Sequence, residues 1–152
     1  MFKSELPSVF YINSKKYSAS SELSYLLRNV VSHIRYEWDE LVFLCIGSDR
    51  ITGDSLGPLV GHLLSRHNWP HIHVYGTLKN PVHALNLEEI TRQIKARHPL
   101  ALIIAIDASL GSKKHIGFIT LGIGSLCPGL GVKKELPRVG DIFITGIINV
   151  SG

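Results

Sequence analysis

A chain of 152 residues with 45% apolar content is long enough to bury one shared core and too short for two ordinary domains, which excludes a disordered tail or a multidomain assembly. A net charge of +4 and a pI near 9.2 permit an acidic partner. The bases are scattered, however, with pairs only at Lys15/Lys16, Lys113/Lys114 and Lys133/Lys134, and no interleaved aromatics offer a base-stacking platform, so no nucleic-acid partner is expected.

The N-terminus, MFKSELPSVFYINSKKYS, lacks the apolar stretch and small-residue cleavage pattern of a secretory signal, and no segment is long enough to span a bilayer. The expectation is a cytoplasmic protein with no membrane partner. Cys45 lies in an apolar run and Cys127 in a Gly/Pro-rich segment. Neither belongs to a CxxC pair, so both are read as reduced thiols.

Residues 1–40 form an N-terminal extension and helix, and 41–152 an α/β core of the same single domain. The spacing of SSELSYLLRNVVSHIR, Ser20 to Arg35, predicts a helix behind a Ser/Glu start signal. LVFLCIG is a wholly apolar run, expected of a strand covered on both faces. LGPLVGHLLSRH returns to helical spacing, HIHVYGT reads as a strand, and LNLEEITRQIKARH is an amphipathic helix with acids early and bases late, as the helix dipole favours. ALIIAIDAS is a second buried strand. Strands alternating with helices in this way imply a parallel sheet clothed on both sides.

After Asp107 the texture changes to IGFITLGIG, then CPGLGVKKELPRVGD, then IFITGIINV. Two more strands around a long loop should give the sheet an antiparallel or edge member. The sequence stops directly after an apolar strand, so the closing helix is expected to be missing, through truncation or because a partner supplies the cover.

CIGSDRITGDSLGP, Cys45 to Pro58, is a glycine-rich loop between strand and helix. Its glycines lack the GxGxxG spacing of a dinucleotide site. Asp54 stands where a P-loop carries lysine, and a carboxylate there repels phosphate. No cofactor is expected. Asp54 or Ser55 could simply cap the following helix, whose first turn tolerates Pro58. Asp107 gives Asp54 a second meaning: it terminates the second buried strand, and ligands of parallel α/β sheets bind at the carboxyl ends of strands. Two adjacent strands each delivering an acid there form a candidate catalytic pair.

These motifs, SDRITGDSLGP, IDASLG, PGLGVKKELPRVGD and ITGIINV, with YGTLKNPVHALNL between them, resemble the YyaC-type sporulation protease family, itself similar to the spore germination protease. The likeness runs from about Leu41 to the end of the chain. It implies a three-layer α/β/α sandwich with a mostly parallel central sheet, of the phosphorylase/hydrolase-like kind shared with hydrogenase maturation endopeptidases. It also implies that Asp54 and Asp107 are the catalytic aspartates. The maturation enzymes bind nickel through equivalent acids and a histidine, whose place here falls near Phe143, a side chain with no donor atom. No metal is therefore expected at this site, although His83 or His115 could substitute spatially.

The function expected is a sporulation-associated peptidase that hydrolyses a protein or peptide substrate. One aspartate activates water, and the other, kept protonated by its like-charged neighbour, donates. Asp54, near a helix N-terminus, is assigned the base. The loop glycines, Gly53 among them, give backbone N–H groups close access to a developing oxyanion, Lys133 could add positive charge, and Ser55 is counted with them among the substrate-binding residues. Asp49 and Arg50 either orient the loop as an ion pair or decorate it. His83 is placed on the crevice rim, and His71 and His73 are read as ordinary surface. The alternatives are a non-catalytic peptide-binding protein on the same fold and a metal-dependent maturation-type endopeptidase.

Overall fold

The computed structural model describes residues 7–51, 53–128 and 136–151. The elements run β1 (Phe10–Asn13), α1 (Ala19–Ser32), β2 (Glu40–Cys45), α2 (Leu56–Ser65), β3 (Ile72–Tyr75), α3 (Leu87–Arg97), β4 (Ala101–Gly111), a short 3-10 turn, β5 (Phe118–Ile123) and β6 (Ile142–Val150). One six-stranded sheet has the order β1-β5-β6-β4-β2-β3. The pairs β6/β4, β4/β2 and β2/β3 are parallel, while β5 is antiparallel to both β1 and β6. Only β5 therefore runs against the rest, the antiparallel member that the change of texture after Asp107 foretold.

The apolar runs explain the layering. Successive side chains of a strand point to opposite faces. Val42 and Leu44 of β2 accordingly join one core cluster with Leu87, Ile90 and Ile94 of α3. Leu41, Phe43 and Cys45 join the other, with Leu23, Leu27 and Val30 of α1 and Val60 and Leu64 of α2. A strand buried on both faces has no use for alternation, which is why β2 and β4 read as continuous hydrophobic stretches. With α1 and α2 on one face and α3 on the other, the result is the three-layer α/β/α arrangement. Cys45, under α2, and Cys127, exposed, are both free.

The helix α2 lies unusually close to the sheet. A Cβ on Gly57 would stand 2.0 Å from the Ile46 carbonyl oxygen, and one on Gly61 would stand 1.9 Å from that of Gly76. Two glycines four apart share one helix face, so the helix rests directly on backbone at the ends of β2 and β3. Backbone cannot yield as a side-chain tip can. Gly61→Ala should therefore destabilise the fold by about 3 kcal/mol or more, the upper range for overpacking. Urea unfolding would measure this, with the exposed Leu59→Ala as a control on the same helix.

Several expectations are modified. The N-terminal extension contains β1, an edge strand hydrogen-bonded to β5 that the sequence reading left unassigned. His71 precedes β3 rather than alternating within it, and has a positive φ of 61°. Asp107 does not terminate its strand: β4 continues to Gly111 because β6 keeps pairing with it, Asp107 opposite Thr145. On its other side the pairing with β2 ends at Ile106, so Asp107 stands just beyond the end of β2. Among the described residues, no helix is long and apolar enough to cross a membrane.

Candidate active site

The chain passes from β2 through α2 to β3 on one side, then returns through α3 on the opposite face to β4 on the other side of β2. The strand order thus reverses at β2/β4, where a crevice opens at the carboxyl ends. The loop after β2 folds tightly over this edge. Gly47, at φ 150°, approaches so closely that a Cβ would lie 2.2 Å from the Asp54 carbonyl oxygen. That approach lets the Ser48 N–H donate to the same carbonyl at 2.8 Å, while the Asp54 N–H donates to Ile51 at 3.0 Å. Asp54 is consequently held at the mouth of the loop, ahead of α2.

On the β2/β3 side of this edge lies a cleft of about 600 Å³, walled by Ser48, Asp49, Arg50, Ile51 and Asp54 from this loop and by Leu78, Lys79, Pro81, His83, Ala84 and Leu85 from the segment between β3 and α3. The second wall is apolar in part, with Leu85 93% exposed at the rim. His83 Nδ1 accepts the Leu85 N–H at 3.2 Å, so its neutral ring carries the proton on Nε2.

Asp107 is 4% exposed, and its Oδ1 is buried without a hydrogen-bond partner. Burial first, and the negative charge of Asp54 second, push its carboxyl up to about 7, against a weaker opposing pull from the Ala108 backbone. Burial also raises Asp54, while the Ser48 backbone and, when its ring is protonated, His83 draw it back. The expected bias of the helix N-terminus toward a charged Asp54 is therefore outweighed by desolvation. Asp107 is the deeper of the two acids, and the negative charge of Asp54 adds to the rise of its carboxyl.

Asp54 and His83 line the cleft together with Asp49 and Arg50, while Asp107 is buried close enough to Asp54 to feel its charge. Asp49 and Arg50 are exposed and form no ion pair with each other among the described residues. Instead the Arg50 N–H donates to Ser48 Oγ at 3.1 Å. Gly53, with φ 83°, packs toward Ile148 rather than into the cleft. Ser55 is the N-cap of α2 but makes no side-chain capping bond. Lys133 lies outside the described residues. Exposed Lys79, in the segment after β3, is a cation on the cleft rim that sequence reasoning did not single out. The amides of Gly47, Ser48 and Asp54 are already engaged by backbone carbonyls, which removes them from an oxyanion site.

A nickel centre of the maturation type does not fit this crevice. Phe143 packs into the α3-side core, and among the described residues the crevice gathers no three His, Cys, Asp or Glu ligand atoms around one point.

Fold and site together define an α/β domain with two acids, one of them buried, at its strand-order switch. The chain belongs to the family described as "Protein of unknown function (DUF1256)", which matches residues 11–152. Over 112 residues it is 52% identical to "Uncharacterized protein YyaC" of Bacillus subtilis (strain 168), an alignment that covers 74% of this chain and 55% of that protein. The chain thus spans about half the length of this curated relative, and the match bears out the YyaC-type resemblance. No solved structure matches.

Proposed function

We propose that the chain is an aspartate-pair peptidase that hydrolyses a protein substrate of the sporulating cell. The observation that carries this reading is the buried Asp107, whose Oδ1 has no hydrogen-bond partner; burial and the neighbouring Asp54 push its carboxyl up to about 7. Asp54 takes a proton from water as the water oxygen attacks the peptide carbonyl carbon, and Asp107 gives its proton to the carbonyl oxygen. On collapse of the tetrahedral intermediate, the C–N bond breaks, the proton on Asp54 passes to the leaving nitrogen, and Asp107 recovers its own from the hydroxyl. The hydrogen bond from the Ser48 backbone favours the anionic Asp54 that this assignment requires. Leu78 and Leu85 give the cleft an apolar wall suited to a peptide side chain. Resemblance to the spore germination protease adds the substrate class.

Cleavage of spore proteins by the full-length protein is the test. Turnover should survive chelators and follow a bell, falling on the acid side as Asp54 takes up a proton and on the alkaline side near pH 7 as Asp107 loses its own. Cleavage that persists in both Asp54→Asn and Asp107→Asn would remove the pair from the mechanism. A second reading, a peptide-binding protein using the same cleft, is favoured by one observation: Asp107 lies beneath the cleft rather than in its lining. That protein would bind spore peptides without turnover at any pH.

A further inference from the structure

At the opposite edge of the sheet, the amino ends of β2 and β3 meet the carboxyl end of α3. Glu40 opens β2 and shares a face with Val42, two residues on. His73 pairs with Val42 across the parallel ladder and so stands on that face too. It is the face covered by α3, and His98, the residue that ends α3, arrives at the same point.

Glu40 Oε2 is the shared partner of His73 Nε2 and of His98 Nδ1, the latter at 3.1 Å. One ligand atom from each of the three residues lies within 4.8 Å of the others. The two imidazoles stack, with centroids 4.0 Å apart and planes 27° apart. The other nitrogen of His98, Nε2, shares a hydrogen bond with the Tyr75 hydroxyl at 2.9 Å. The side chains are 36% exposed at His73, 25% at Glu40 and 10% at His98, so one side is open to an incoming ion and the other is closed.

We propose that Glu40, His73 and His98 bind a divalent transition-metal ion, zinc in the first instance. Two imidazoles and one carboxylate are a donor set that zinc accepts, with its fourth tetrahedral position left to water. Among the described residues Glu40 has no Lys or Arg partner, so its charge is available to a cation. Tyr75 meets the requirement that usually distinguishes a metal site from a chance cluster, a partner for the ring nitrogen that does not bind the ion. A hydroxyl both donates and accepts. It donates to Nε2 when His98 Nδ1–H faces Glu40, and accepts from Nε2–H when Nδ1 turns its lone pair to a metal. In the chain Glu40 lies 33 positions before His73 and 58 before His98, so only the fold assembles them.

The site is independent of the proposed peptidase reaction, and its test does not use activity. Metal-stripped full-length protein is titrated with Zn²⁺ by calorimetry while the histidine ring nitrogens are followed by NMR. One ion per chain should bind, with the His73 and His98 ring signals moving together. Tyr75→Phe should weaken binding roughly 10-fold, the low end for loss of an outer hydrogen-bond partner. Glu40→Gln should weaken it by more, and the Asp54→Asn/Asp107→Asn double variant should bind as wild type does. The absence of stoichiometric binding would overturn the proposal, as would binding that leaves the His73 and His98 signals unmoved. The ring signals are read on the wild-type chain, so the test stands even if a variant fails to fold.

Discussion

Asp107→Asn should make the protein more stable at pH 8 while leaving it nearly unchanged at acid pH. In the folded chain Asp107 holds its proton up to about pH 7, against an ordinary value of 3.8. Between those values the native state binds more protons than the unfolded chain does. Stability therefore falls as pH rises through that window, and the loss is complete above it. A difference of this size corresponds to an upper figure of roughly 4 kcal/mol. Asparagine is neutral throughout and carries no such slope. For a domain of this length the gain at pH 8 should raise the melting temperature by on the order of 10 °C, and parallel melts at pH 5 and pH 8 would measure it. In the proposed peptidase reaction the same substitution removes the proton donor, so turnover should fall by roughly 10²–10⁴-fold. A variant that is both more stable and inactive identifies strain held for chemistry.

Asp54→Asn should act on Asp107 without touching its burial. Removing the neighbouring charge takes away the second cause of the raised carboxyl and leaves desolvation, the first. Asp107 should then titrate below about 7 yet still above the ordinary range, and the pH window of lost stability should narrow from its alkaline end. In the proposed reaction the water loses its base, so turnover should fall as far as in Asp107→Asn. Double-variant kinetics would show little further loss, since residues that act as a unit are strongly non-additive. Equal and independent losses would instead mean that the two acids work apart.

The parallel core was legible in the sequence because β2 and β4 are buried on both faces and announce it by unbroken apolar runs. The helix α3 was legible from its periodicity and its charge order. β1 was not: four residues with one polar end carry too weak a pattern, and the strand exists by pairing with β5 more than a hundred positions away. Asp54 and Asp107 could be found because each follows such a run. The second wall of the cleft could not, since Leu78, Pro81 and Leu85 read as an ordinary loop until the crossover through α3 places them beside Asp54. His73 was read as surface for a related reason. Its partners Glu40 and His98 reach it only through the parallel register of β2 with β3 and the return of α3.

The central claim is that burial, and the charge of Asp54 beside it, push the Asp107 carboxyl up to about 7. Carboxyl ¹³C NMR across a pH titration reads this directly. The account predicts an Asp107 carboxyl that titrates near pH 7 in the wild-type chain and shifts downward in Asp54→Asn. An Asp107 carboxyl that titrates in the ordinary range near 3.8, unmoved by Asp54→Asn, would contradict it.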